Sequence, residues 1–272
     1  MRKATSTLST FLCVFLFISF SFVSCSSDDD ETKEGNEEVI EEVEEEIVED
    51  EPGKIPGLGS EEGELSGKPF KLPKGIELVG EIKGYSYGDD LRAVTDKRSL
   101  DLEKVISNSL MISSREAEID KFGSGSLVSL GIKLKNTTNK DIQFEFPAGL
   151  IMRSRTNDYQ NGILLKKVTI SIPANNTYSL VLYLYCGNFG RHMSSPSAYY
   201  EWGVVTNSSL IIDLCKRMAD KKINYEEFPY EDFFTYKAQV LYIQGIVWRV
   251  TDNFNGLTQE DIDYINSLPK SK

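Results

Sequence analysis

The stretch Leu180-Val181-Leu182-Tyr183-Leu184-Tyr185-Cys186 has no polar break on either face. Side chains alternate across a strand, so an unbroken apolar and aromatic run is buried on both sides and reads as the central strand of its sheet. Upstream, the pattern changes to alternation. Val128, Leu130, Ile132 and Leu134 are interleaved with Ser129, Gly131 and Lys133; Ile142, Phe144 and Phe146 with Gln143 and Glu145; Val168, Ile170 and Ile172 with Thr169 and Ser171. Each predicts a strand with one face in a core. Turn signals separate them at Asn136-Thr137-Thr138-Asn139, Pro147-Ala148-Gly149, Asn161-Gly162 and Pro173-Ala174-Asn175-Asn176. Spacings of about ten residues predict antiparallel pairing in a sandwich or barrel.

Before these strands, Glu77 to Tyr87 predicts a further strand, and Leu102, Val105, Ile106 and Leu110 fall on one helical stripe. After Cys186 the period becomes helical. Ser209 predicts a cap for a helix carrying Leu210, Ile211, Leu214 and Met218. A longer helix from about Glu231 carries Phe234, Ala238, Leu241 and Ile246, and Thr258 with Asp261 forms a capping-box pattern opening the last helix through Leu268. The expected fold is α+β: an antiparallel β-sandwich-like core over residues 75–187, then a C-terminal helical subdomain over 205–270, in a single globular domain spanning 69–272.

The 272 residues carry a formal net charge of -12, which on its face disfavours nucleic acid and anionic membrane surfaces as partners. That charge is unevenly placed. Residues 26–51 hold fifteen acidic side chains against Lys33 alone, whereas residues 52–272 hold 27 of each sign. The globular part is neutral, so its partner preference does not follow from net charge. Residues 26–68 contain no aromatic side chain, a composition that buries too little apolar surface to offset chain entropy and predicts a disordered acidic tether over 25–68. Its like charges extend its reach beyond the roughly 35 Å of a neutral coil of that length. Val39, Ile40, Val43 and Ile47 have helical spacing, but Glu41/Glu45 and Glu42/Glu46 repel.

Residues 1–24 combine Arg2 and Lys3 with the apolar run Phe11 to Ile18, a secretory signal peptide too short to span a membrane. Phe22-Val23-Ser24-Cys25 resembles the lipobox of bacterial lipoproteins, and the acidic Asp28-Asp29-Asp30 that follows is similar to the export signal of Bacteroidetes-type surface lipoproteins. The resemblance implies acylation of Cys25 and an outer-membrane, cell-surface location, with the membrane as one partner through that lipid.

With Cys13 removed and Cys25 acylated, Cys186 and Cys215 remain. An exported chain makes a disulfide between them one expectation, and two buried free thiols the other. A third reading uses Cys186 differently. Ile243-Gln244-Gly245-Ile246-Val247-Trp248 resembles the glutamine motif of bacterial thioester domains, and Tyr185-Cys186 resembles their aromatic-cysteine half. The resemblance, over residues 125–260, implies a bond between the Cys186 sulfur and the Gln244 side-chain carbonyl, an electrophile that a partner amine opens. Gly187, Ile243 and Ile246 depart from that family's pattern. Gln244 and Trp248 are equally an i,i+4 pair on a packed helix face.

Tyr199, Tyr200 and Trp202, in a segment read as a loop from Gly187 to Gly203, form a candidate surface for a glycan or protein ligand, or else fill a core junction. His192 is the single histidine, which excludes multi-histidine zinc sites, and its pairing with Cys186 lacks a nucleophile signature. Thr251 to Gly256 fails as a calcium loop, with Thr251 and Ile262 where acids are required. No phosphate-loop, dinucleotide or nucleophile-elbow motif is present. The expectation is a monomeric, non-enzymatic binding or adhesion domain without cofactor or metal, with a covalent thioester adhesin or a structural envelope lipoprotein as alternatives.

Overall fold

The computed structural model describes residues 46–85, 119–229, 232–252 and 255–272, all within one compact unit, Glu44–Lys272. The signal peptide, Cys25 and the Leu100–Leu110 helix lie outside the described residues. Eleven strands are seen among them. They are β1 (Gly67–Pro69), β2 (Ile76–Leu78), β3 (Ile82–Gly84), β4 (Asp120–Gly123), β5 (Val128–Asn136), β6 (Ile142–Phe146), β7 (Leu150–Ser154), β8 (Gly162–Ile163), β9 (Val168–Ile172), β10 (Thr177–Cys186) and β11 (Tyr199–Thr206). Three α-helices follow: α1 (Ser209–Met218), α2 (Phe233–Thr251) and α3 (Gln259–Ser267).

The sheet closes on itself. Neighbours run β5-β3-β11-β7-β8-β10, and β10 returns to β5 through eight antiparallel residue pairs, from Thr177–Lys135 to Leu184–Val128. The α+β expectation is therefore corrected: the fold is mostly β, a closed six-stranded antiparallel barrel with extra strands and, among the described residues, three α-helices. The extra strands are β2 on β5, β1 on β11, and β4, which runs parallel to β10. The strand that changes the architecture is β11. The sequence reads Gly187 to Gly203 as a loop before a helical half, yet Tyr199–Thr206 pairs with both β3 and β7 and closes the ring. The expected strand over 77–87 is instead two, β2 and β3, broken around Gly80, whose φ of +76° most residues avoid.

The pleat of the closing strands feeds two cores. One face holds Leu180, Leu182, Leu184 and Cys186 of β10, Val128, Leu130, Ile132 and Leu134 of β5, Met152 of β7, Ile82 of β3 and Tyr200 of β11. All of these fill the barrel lumen, joined by Phe146, Val168, Ile170 and Ile172 from the separate two-stranded β6–β9 sheet. The opposite face offers Ile151, Ile163 and Tyr185 to the helices. The helices are thus a layer on the barrel wall, not a separate subdomain. Helix α1 buries Ile211, Leu214, Cys215 and Met218 there. Helix α2 buries Tyr236, Val240, Ile243, Val247 and Val250, while Phe234 and Leu241 of the expected stripe are exposed. Of the expected stripe Ile246 is buried in this core and Ala238 is exposed; apolar residues surround this helix, so periodicity alone does not fix its inner face.

Residues 46–68, expected in the tether, are held against the rest of the domain at particular points. Val48 accepts from Ser209 N (2.9 Å) at the start of α1 and donates to Asn207 O (2.9 Å). Ile55 and Leu58 are buried in the outer core. Two apolar anchors outweigh the polar composition around them.

Helix α3 carries the expected cap. Thr258 Oγ1 accepts from Asp261 N, and the Asp261 carboxylate accepts from Thr258 N (3.0 Å). That carboxylate, fully buried, also receives a two-pronged bond from Arg249 of α2 (2.8 and 2.6 Å). Burial alone would raise its pKa, but the Arg249 and Thr258 bonds hold it below the ordinary aspartate value. A depressed carboxyl stabilises the fold above its unfolded pKa and loses that contribution as pH falls. Asp261→Asn should lower unfolding free energy by about 2 kcal/mol at pH 7, less than a fully buried pair because Arg249 is partly exposed, and should flatten the stability loss below about pH 4. Urea unfolding across pH checks both.

Candidate functional site

Strand β10 outruns its partner. Pairing with β5 stops at Leu184, so on that side the backbone of Cys186 has no strand to bond. A buried N–H and C=O left unpaired would be costly. Helix α2 supplies the partner with a side chain: Gln244 Oε1 accepts from Cys186 N and Gln244 Nε2 donates to Cys186 O, each at 2.9 Å. Its carboxamide thereby stands in for one residue of a neighbouring strand. One turn further along α2, Trp248 Nε1 donates to Cys186 Sγ at 3.3 Å, and Asn188 N points at the same sulfur at 3.4 Å.

The structure thus brings together Cys186 and Gln244, 58 positions apart, with Trp248 on the sulfur. Cys186 and Gln244 are both almost wholly inaccessible. Burial raises the thiol pKa to about 11, with the Trp248 and Asn188 bonds opposing the rise only in part. At neutral pH the thiol is therefore protonated, which does not suit an ionised nucleophile. His192 is no partner to it: the imidazole is exposed and sits edge-on to Tyr159 at 6.3 Å.

Cys215 is elsewhere. It lies on α1 in the outer core, its sulfur 4.0 Å from Leu164 O, and burial pushes its pKa up to about 12. Cys186 belongs to the lumen cluster, and both thiols are free. Of the two expectations for this pair, the structure has the free thiols and no disulfide, because strand pleat and helix layer place the sulfurs in different cores.

The aromatic trio is split by the pleat of β11. Tyr200 points into the lumen and is fully buried. Trp202 stacks on Phe146 (5.8 Å between centroids) and packs on Phe70 (5.2 Å). Only Tyr199 is outside, with Lys83 Nζ 4.9 Å from its ring centre and Arg155 close by. The three do not form one binding face. Tyr200 and Trp202 take the core role that the sequence left open.

Around the Cys186–Gln244 pair, sequence reasoning missed a second set of residues. After Cys186 the chain turns, and Phe189 lies edge-on to Trp248 at 4.8 Å while its N–H reaches Asp252 Oδ1 at 3.1 Å. Burial raises the Asp252 carboxyl pKa. Asn188, wholly buried, donates from Nδ2 to Gly59 O (2.9 Å) and Gly57 O (3.3 Å), and its Oδ1 accepts from Asn161 N (2.9 Å). The signal was present as Ile55-Pro56-Gly57-Leu58-Gly59, two aliphatic residues among glycines inside an acidic stretch. Alongside runs an open polar cleft of about 450 Å³, whose lining includes Glu61, Glu62, Arg153 and Arg191. Among the described residues no group of three His, Cys, Asp or Glu is placed to hold a metal ion, and no helix is long and apolar enough to cross a membrane.

Comparison with protein-family models, curated proteins and solved structures finds no match for this chain. The site therefore rests on its own geometry. Gln244→Ala should leave the Cys186 N–H and C=O unpaired beside a new cavity and destabilise the fold by about 3 kcal/mol. Gln244→Glu should be at least as damaging, because a carboxylate cannot donate to Cys186 O. Chemical denaturation of the two variants checks the ranking.

Proposed function

We propose that the chain is a lipid-anchored surface protein presenting an adhesion domain, and that the Cys186–Gln244 pair supplies the adhesive chemistry. The observation that supports the covalent form is the placement of the Gln244 carboxamide against Cys186, with Trp248 N–H directed at the sulfur. In the reaction the Cys186 sulfur bonds to Gln244 Cδ, the thiol proton passes to the departing nitrogen, and one ammonia leaves. The thioester so formed is a stored acyl donor. A partner amine attacks Cδ, an amide bond replaces the carbon–sulfur bond, and the thiol regains a proton. The Cys186 N–H that bonds Gln244 Oε1 would stabilise negative charge on that oxygen during both steps.

The thiol is consumed when the bond forms, so its protonation bears on that first step and not on the stored state. Burial excludes water from the acyl–sulfur bond, as an adhesin waiting for its target requires. The lipid anchor rests on the Cys25 sequence, with the acidic run that follows as the export signal.

One observation favours a second reading. Both polar atoms of Gln244 are occupied by the Cys186 backbone, a pairing that is complete without any bond to sulfur. On that reading the domain binds its ligand non-covalently and the pair is structural. Intact mass separates the two. The covalent reading expects the purified protein to be lighter by one ammonia, to gain one methylamine at Gln244 on treatment, and to expose one further thiol. An unchanged mass with both thiols titratable after unfolding selects the structural reading. Cys25→Ser should move the protein from the membrane fraction to the soluble fraction, whereas retention in the membrane would remove the anchor.

A further inference from the structure

Resting on the reading of Cys186 and Gln244 as the reactive pair, we infer that residues 53–59 are a releasable clasp that controls access to it. The segment is wedged between the two elements that carry the pair. On one side is the turn after β10: Gly59 N donates to Gly187 O at 2.7 Å, and a Cβ on Gly187 would lie 2.9 Å from Leu58 Cδ2. On the other is the end of α2: Gly53 N donates to Val250 O at 2.9 Å, and a Cβ on Gly59 would sit 1.9 Å from Thr251 O. Asn161 and Asn188 complete the hold by donating to the carbonyls of Gly57 and Gly59.

The hold is made of separate contacts, not of a ladder. Among the described residues, 53–59 form no strand, so opening does not need to unzip the barrel. Gly53, Gly57 and Gly59 all have positive φ, from 58° to 75°, a conformation these residues regain freedom by leaving. Against that stand two apolar anchors, Ile55 and Leu58, seated in the outer core. Such a balance describes a segment that opens locally well before the domain unfolds. When it leaves, Asn188 loses the carbonyls it binds, and the turn that follows Cys186 loses the cover of Leu58.

The full-length protein tests this. Under native conditions, alkylation by iodoacetamide is followed separately at Cys186 and Cys215 by peptide mass, beside hydrogen exchange at the Gly59 amide. If the thioester is present, methylamine uptake at Gln244 is read in place of Cys186 alkylation, so failure of the covalent reading leaves the clasp measurement intact. The clasp predicts that protection at the pair matches protection at Gly59 within about threefold and falls well below that at Cys215. Leu58→Ser should speed reaction at the pair by about tenfold or more, with Cys215 remaining the slower of the two. Protection at the pair that follows Cys215 in the native sequence would overturn the proposal, as would a Leu58→Ser rate equal to wild type. If Leu58→Ser unfolds the domain and both cysteines react together, the native-sequence comparison decides alone.

Discussion

The structure depends on the pleat of one strand. Residues of β10 alternate between the lumen and the outer face of the barrel, which at Tyr185 meets the helix layer, and the strand bonds β5 and β8 within the barrel and β4 outside it. With Leu182 and Leu184 inside and Tyr185 outside, a shift of one residue would exchange the two cores. That register also decides the site. It ends the strand with the Cys186 side chain inward and its backbone beyond the last pair to β5, the vacancy that Gln244 fills. Tyr185, immediately before, is fixed on the other side by a 2.7 Å bond to Ser124 Oγ.

Much of the β structure was legible because its periodicity is local. The alternations around Val128, Ile142 and Val168 became β5, β6 and β9, and the two-faced run became β10. What was not legible is which strands meet. Tyr199-Tyr200-Glu201-Trp202 carries the aromatic content of a strand and of a binding loop alike, and only closure against β3 and β7 distinguishes them. The register shift between Trp202 and Val205 further blurs its alternation. Helix α2 failed differently: its existence was clear, its buried face was not, since tyrosines, isoleucines and valines occur all round it.

For the site, the two halves of the Cys–Gln pair were visible as short motifs, and the fold places them in contact. The clasp was hidden by its surroundings. A composition average over 26–68 is dominated by glutamates, and two buried aliphatic residues do not change such an average although they fix the chain. Gln244 shows the converse lesson. A buried carboxamide in a helix breaks the expectation of an apolar interior, and it persists because its two bonds satisfy two backbone groups that nothing else reaches.

Chain order gives the N-terminal attachments a mechanical meaning. Proceeding from Glu46, the contacts come in sequence: the Val48 bridge to the start of α1, the Gly53 bond to Val250, the Gly57 and Gly59 bonds to Asn161 and Asn188, and only then the β1–β11 ladder. Tension entering from that end would load them one at a time, like the teeth of a zip, and not all together as in a sheared sheet. The pair of Cys186 and Gln244 lies behind the third of these teeth. A pull from that end would therefore release residues 53–59, and bare the turn after Cys186, before it threatens the barrel.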